Sequence, residues 1–164
     1  MSELEATLNG DSAFTPPSHI LEGLSDERAH RLPAGAPRSI YEELWHICFW
    51  QQITLDWISG VETPYPASPR DAFPTVLDAE KEYWPQLCER FSADVRKAAA
   101  AANDESRLNV AVRCTSKPGE PVRVMTAREQ LESLAAHNAY HFGRIVLLRQ
   151  LLGAWPPPSG GFSW

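Results

Sequence analysis

Two histidines four residues apart, His137 and His141, stand in LESLAAHNAYHFGRIVLLRQLLG, a segment that otherwise reads as a buried helix. On an α-helix, positions i and i+4 share a face one turn apart. Leu134, His137, His141, Ile145, Leu148 and Leu152 therefore form one stripe, with two imidazoles on its core side. Burying imidazoles without partners is costly. A divalent metal held by both removes that cost, but zinc takes three or four protein ligands. His46, inside the apolar run LWHICFW, is the natural third. Metal sites in helical bundles are assembled this way, from inward side chains on facing helices. Histidines hydrogen-bonded within the core are the competing reading, and spacing alone does not choose between the two. His19 and His30 lie in a polar N-terminal segment and are not expected among the ligands.

Three neutral imidazoles would leave a divalent ion its full charge and at least one open position, the pattern of a catalytic zinc site. An ion of that kind acidifies bound water or holds a thiolate near neutral pH. In the HExxH proteases a glutamate follows the first histidine and serves as general base. Here that position is Asn138, which takes no proton, so a peptidase is disfavoured. A carboxylate base must come from another element. Glu43, three residues before His46, is a candidate that can face the cleft, although a helix-end carboxylate is more often solvated. Arg144, one turn beyond His141, is a candidate partner for an anionic substrate group; solvating the helix end is its plainer role. Tyr140 is off the histidine face and is expected to pack between helices. Trp50, one turn after His46, can wall a pocket or fill the core. Cys48, two residues from His46, is expected to point away from it and stay buried.

The elements that must position these residues are helical. Thr15, with Pro16 in the first turn, opens a helix through SHILEGL, and Ser25 opens a shorter turn. Ser39-Ile-Tyr-Glu42 is a capping box, and its helix runs to Gly60. That helix is apolar nearly all round, so it should be covered on several sides. ETPYPASPRDAFP reads as a connector. A third helix is expected from about Pro74 to Ala102, kinked or broken in its first half by Pro85. Leu108, Val110, Val112 and Cys114 then alternate, and Lys117-Pro118-Gly119 signals a turn. This crossover is a small hairpin or an extended strand. Thr126-Ala-Arg-Glu129 is a second capping box opening the histidine helix, which ends at Gly153. The tail AWPPPSGGFSW is expected to be extended and to pack through its tryptophans.

Four amphipathic helices with one long connection suggest a four-helix bundle, one domain over residues 1–164. A net charge of −6 disfavours a nucleic-acid partner. No apolar run approaches a membrane span, and the acidic N-terminus has no apolar signal-peptide core. The three cysteines share no close spacing and read as reduced thiols, which fits a cytoplasmic protein. The apolar second helix and the tryptophan-rich ends lead to the expectation of a homodimer.

SIYEELWHICFWQ, followed about ninety residues later by HNAYHFGRIVLLRQLLGAWPP, resembles the DinB/YfiT-like superfamily. The resemblance runs from about Ser18 to Pro158. It implies an all-α four-helix bundle with a long crossover between the third and fourth helices. It also implies a divalent transition metal, nickel or zinc, on His46, His137 and His141. Characterised relatives include transferases and isomerases that use a low-molecular-weight thiol such as bacillithiol or mycothiol; many members have no assigned activity. Family segments often read Tyr-His-x-Gly-Gln after the second histidine. Here Gly143 is present and Arg144 takes the glutamine place, so no particular substrate is carried over. The resemblance leads to a metal-dependent S-transferase acting on a small molecule. A metal-dependent hydrolase, and a metal-binding bundle without turnover, are the other readings.

Overall fold

The computed structural model describes residues 2–12 and 14–160. Helix α1 (Glu3–Asn9) opens the chain, with the Ser2 hydroxyl accepting from the Glu5 amide and Gly10 closing it at φ 76°. This helix was not among those expected from the sequence. The signal was present in the Ser2–Glu5 spacing and in Leu4 and Leu8 one turn apart. Leu8 is buried with Leu55, Ala98, Ala102 and Leu131. Helix α2 (Pro17–Leu21) starts one residue later than expected: Pro16 is the cap and Pro17 stands in the first turn, so Thr15 is not the N-cap. Helix α3 (Asp26–His30) is capped by the Ser25 hydroxyl.

Helix α4 (Ile40–Ile58) carries the expected capping box, Ser39 and Glu42 exchanging hydrogen bonds. Most of its apolar surface is buried within the chain. Ile40, Leu44, Ile47 and Cys48 pack with Leu87, Phe91, Phe142 and Ile145. Ile53 and Trp57 pack beneath the crossover with Val112, Cys114 and Ala127. Trp45, Phe49 and Trp50 on the same helix stay partly exposed, and further exposed apolar residues lie on the last helix, at Tyr140, Leu147 and Leu151.

The expected third helix is broken. Helix α5 (Val76–Lys81) opens on a Thr75–Asp78 capping box. Helix α6 (Trp84–Ala102) takes Pro85 into its first turn, where the missing N–H has no intrahelical partner to lose. After α7 (Glu105–Leu108), strands β1 (Ala111–Cys114) and β2 (Arg123–Thr126) pair antiparallel, Val112 opposite Met125. The crossover is thus a hairpin. The alternation read from Leu108 onward is shorter than expected: Leu108 is buried but belongs to α7, Val110 is exposed, and within the strand Val112 and Cys114 face inward.

Helix α8 (Ala127–Leu151) begins at the Thr126–Glu129 capping box, and Gly153, at φ 63°, follows its C-cap Leu152. Helix α4 packs against both α6 and α8, and the short N-terminal helices complete the all-α bundle. Buried Arg149 ties the end of α8 to that N-terminal segment, donating to the carbonyls of Ile20, Glu22 and Ala154. Trp155 packs partly buried against the core. Trp164 lies outside the described residues. Among those described, no helix is long and apolar enough to cross a membrane.

Candidate metal centre

Helices α4 and α8 bring the three histidines together. His46 comes from the middle of α4, and His137 and His141 come from successive turns of α8. One nitrogen from each lies within 4.8 Å of the other two. His46 Nε2 and His137 Nε2 are 3.2 Å apart. His141 is buried, and the other two rings are half-buried.

Hydrogen bonds fix two tautomers. His46 Nδ1 is 2.8 Å from the Ala72 carbonyl oxygen, which only accepts, so Nδ1 carries the proton and Nε2 keeps its lone pair in the neutral ring. His141 Nδ1 is 2.6 Å from Glu43 Oε2, so it likewise donates. Imidazoles held by a carbonyl or carboxylate on one nitrogen and free on the other are oriented as metal ligands usually are. Two nitrogens in tetrahedral positions about 2.0–2.1 Å from one zinc stand roughly 3.3 Å apart, close to the His46–His137 separation. The residues therefore fit a divalent transition metal. The buried Nδ1 of His137 and both amide atoms of Asn138 have no hydrogen-bond partner among the described residues.

Electrostatics favour the same state. Burial pushes His137 down to about 3, with His141 and His46 acting in the same direction. Burial lowers His46 too, against the opposing hydrogen bond to Ala72. Both rings are neutral at pH 7, as ligands must be. The cysteines contribute little nucleophilicity. Burial raises all three thiols, Cys88 to about 12, and no disulfide joins them.

Three neighbouring residues stand differently from what the sequence suggested. Glu43 is not solvated at a helix end: its exposure is 0%, and it sits between His141 and Arg144 Nη2, which is 2.7 Å from Oε1. The sequence signal was its place three residues after Ile40 and four before Ile47, both fully buried. Arg144 neither solvates the helix end nor stands free for a substrate, because its guanidinium pairs with Glu43. Tyr140 does not pack between helices; it is 63% exposed, edge-on to His141. Cys48 is fully buried in the apolar core, as expected.

The connector contributes more than its composition suggested. Ser68 and Asp71 cap a 3₁₀ turn, Pro69–Ala72, that delivers the Ala72 carbonyl to His46. Phe73 stacks on His46 with centroids 4.3 Å apart, and the Arg38 guanidinium covers the Phe73 ring. The Ser68-x-x-Asp71 capping spacing was legible in the sequence; the stacking was not.

Two cavities open beside the histidines. One, of about 200 Å³, is lined by His137, Trp50, Trp57, Thr54, Gln130 and Arg123 among others. The second, of about 500 Å³, is lined by His46, Trp50, Tyr65, Pro66, Phe73 and Lys117 among others. Among the described residues, no carboxylate lines either. The family model described as the DinB superfamily matches residues 18–145, within the span of the resemblance drawn from the sequence. No curated protein matches the chain.

Proposed function

The chain belongs to the DinB superfamily, and on that premise we propose that it is a divalent-metal-dependent enzyme that transfers a low-molecular-weight thiol, of the bacillithiol or mycothiol type, to a small electrophile. His46, His137 and His141 hold the ion, nickel or zinc. The observation that carries the reading is the donor set: converging imidazoles, two with fixed tautomers, beside cavities that contain no carboxylate.

The missing carboxylate bears on the reaction. Glu43, the only acid beside the histidines that the sequence offered as a base, is enclosed and occupied by His141 and Arg144. It orients His141 and has no path to a substrate proton. The metal, when bound, supplies the positive charge that keeps a thiol sulfur ionised near neutral pH. A thiolate needs no further base for attack. Ala72 and Glu43 keep the rings of His46 and His141 in register, and Trp50 and Phe73 flank the His46 ring. With a chloroalkyl acceptor, the sulfur forms a C–S bond, chloride leaves with the electron pair, and the thiol proton goes to solvent.

The test pairs metal-loaded protein with monochlorobimane, with and without bacillithiol, mycothiol, glutathione or cysteine, and runs ester substrates alongside. Thioether formation that needs both metal and thiol, and that disappears in His46→Ala and His141→Ala alike, is the expected result. Ester turnover without thiol, abolished by His141→Ala, would make the protein a hydrolase. Protein that stays metal-free when offered zinc, nickel and manganese would sink both.

A further inference from the structure

The two cavities beside the histidines share one wall. Among the described residues, Trp50 and Tyr65 are common to both linings, with ring centroids 5.2 Å apart. The cavity of about 200 Å³ opens on His137, and the cavity of about 500 Å³ opens on His46. His141 lines neither. Trp50 stands edge-on to both half-buried rings, with centroids 6.4 Å from His46 and 6.3 Å from His137. The histidine cluster is therefore reached from two sides, and one aromatic pair separates them.

The pair is held through both of its elements. Trp50 belongs to α4, where Phe49 meets it edge to face at 5.5 Å. Tyr65 belongs to the connector, which is pinned before and after it. Just before it, the Thr63 carbonyl accepts from Trp57 Nε1 at 3.0 Å and from Thr115 Oγ1 at 2.7 Å, and the Thr63 hydroxyl donates to Asp56. Beyond it, the Ala72 carbonyl accepts from His46 Nδ1. Rings packed in this way resist displacement, so a ligand that overlaps them is disfavoured.

We infer that Trp50 and Tyr65 are specificity-determining residues that divide the cleft into two chambers, so that two organic molecules reach the histidines separately and neither extends through from one side to the other. A hydrolase needs room for one organic molecule beside water; unequal chambers on two different histidines suit two. The larger reactant, the thiol, takes the His46 side, and the small electrophile takes the His137 side. That assignment rests on the transferase reading. The partition does not.

Two measurements separate the two claims. In the first, metal-free protein is titrated with 4-phenylphenol, a rigid rod of two rings, and the ring protons of His46 and His137 are followed by NMR. In the wild type the probe should move the His46 signals and leave those of His137 in place. Trp50→Leu and Tyr65→Leu open the wall from two different elements. In each, the probe should move the signals of both histidines and bind about tenfold tighter. Trp155→Leu, at a tryptophan that lines neither chamber, should keep the wild-type pattern. Movement of both histidines in the wild type, of neither, or of His137 alone would overturn the inference, and so would a wild-type pattern in both wall variants. In the second, cobalt-loaded protein is titrated with benzyl mercaptan, read by the sulfur-to-cobalt charge-transfer band, with and without 4-phenylphenol. Both molecules take the His46 side, so the band should weaken when 4-phenylphenol is added. A band that 4-phenylphenol leaves unchanged would overturn the placement of the thiol. No band at all, beside the expected pattern in the first measurement, would reject the thiol transferase and leave the partition intact.

Discussion

Glu43 Oε2 lies 2.6 Å from His141 Nδ1 across the seam between α4 and α8, and the carboxylate is wholly shut off from solvent. The contact sets which nitrogen of His141 is free. Outer partners of this type raise ligand basicity, and losing one typically costs about 10–100-fold in metal affinity. Glu43→Gln keeps the size of the side chain and removes its charge. Its zinc affinity, measured by competition with a chelator, should fall by about that factor. Unchanged affinity would reduce Glu43 to a packing residue.

Arg144 balances the enclosed charge of Glu43 from the other side, at 2.7 Å. About a third of the Arg144 side chain is exposed (34%), so its removal should cost less than breaking a fully buried pair. Arg144→Gln is expected to lower the stability of metal-free protein by roughly 1–3 kcal/mol in urea. Combining it with Glu43→Gln should cost less than the two changes added together, because each removes the same interaction. Strict additivity would show that the pair is uncoupled.

The pH dependence of metal-free protein follows from His137 and His46. Both are held below their ordinary value in the folded chain, His137 at about 3. Below about 6.5 the unfolded chain therefore binds protons that the folded chain does not. Stability should be full above that pH and should fall as pH drops toward about 3. Melting temperatures across this range should decline in the wild type and decline less steeply in His137→Ala. Parallel profiles would mean that His137 is not held neutral by the fold.

Leu8 on α1 is 2% exposed and joins a cluster drawn from α4, α6 and α8. Leu8→Ala should destabilise the protein by about 2–5 kcal/mol. A cost under about 0.5 kcal/mol would mean that α1 is not part of the bundle in solution.

Much of this protein was legible from local chemistry. Capping boxes at Ser39 and Thr126 start α4 and α8 where the sequence placed them, because a hydroxyl and a carboxylate three residues apart satisfy backbone donors without tertiary help. Pro85 pointed to a kink or a break in the third helix, and it stands in the first turn of α6, where its missing N–H costs least. The i,i+4 spacing put His137 and His141 on one face, since helical geometry is independent of what packs there. Glu43 and Arg144 were misjudged because charge alone says solvent. Their burial depends on each other and on His141 across a helix interface, a pairing that a single helix does not encode. The Ala72 carbonyl and the Phe73 ring reach His46 from a connector 26 and 27 residues away in sequence. Only the closing of that connector over α4 decides which nitrogen of His46 faces the other two histidines. Local sequence set the helices and their faces; long-range packing set the protons, because a hydrogen-bond partner acts through distance in space rather than along the chain.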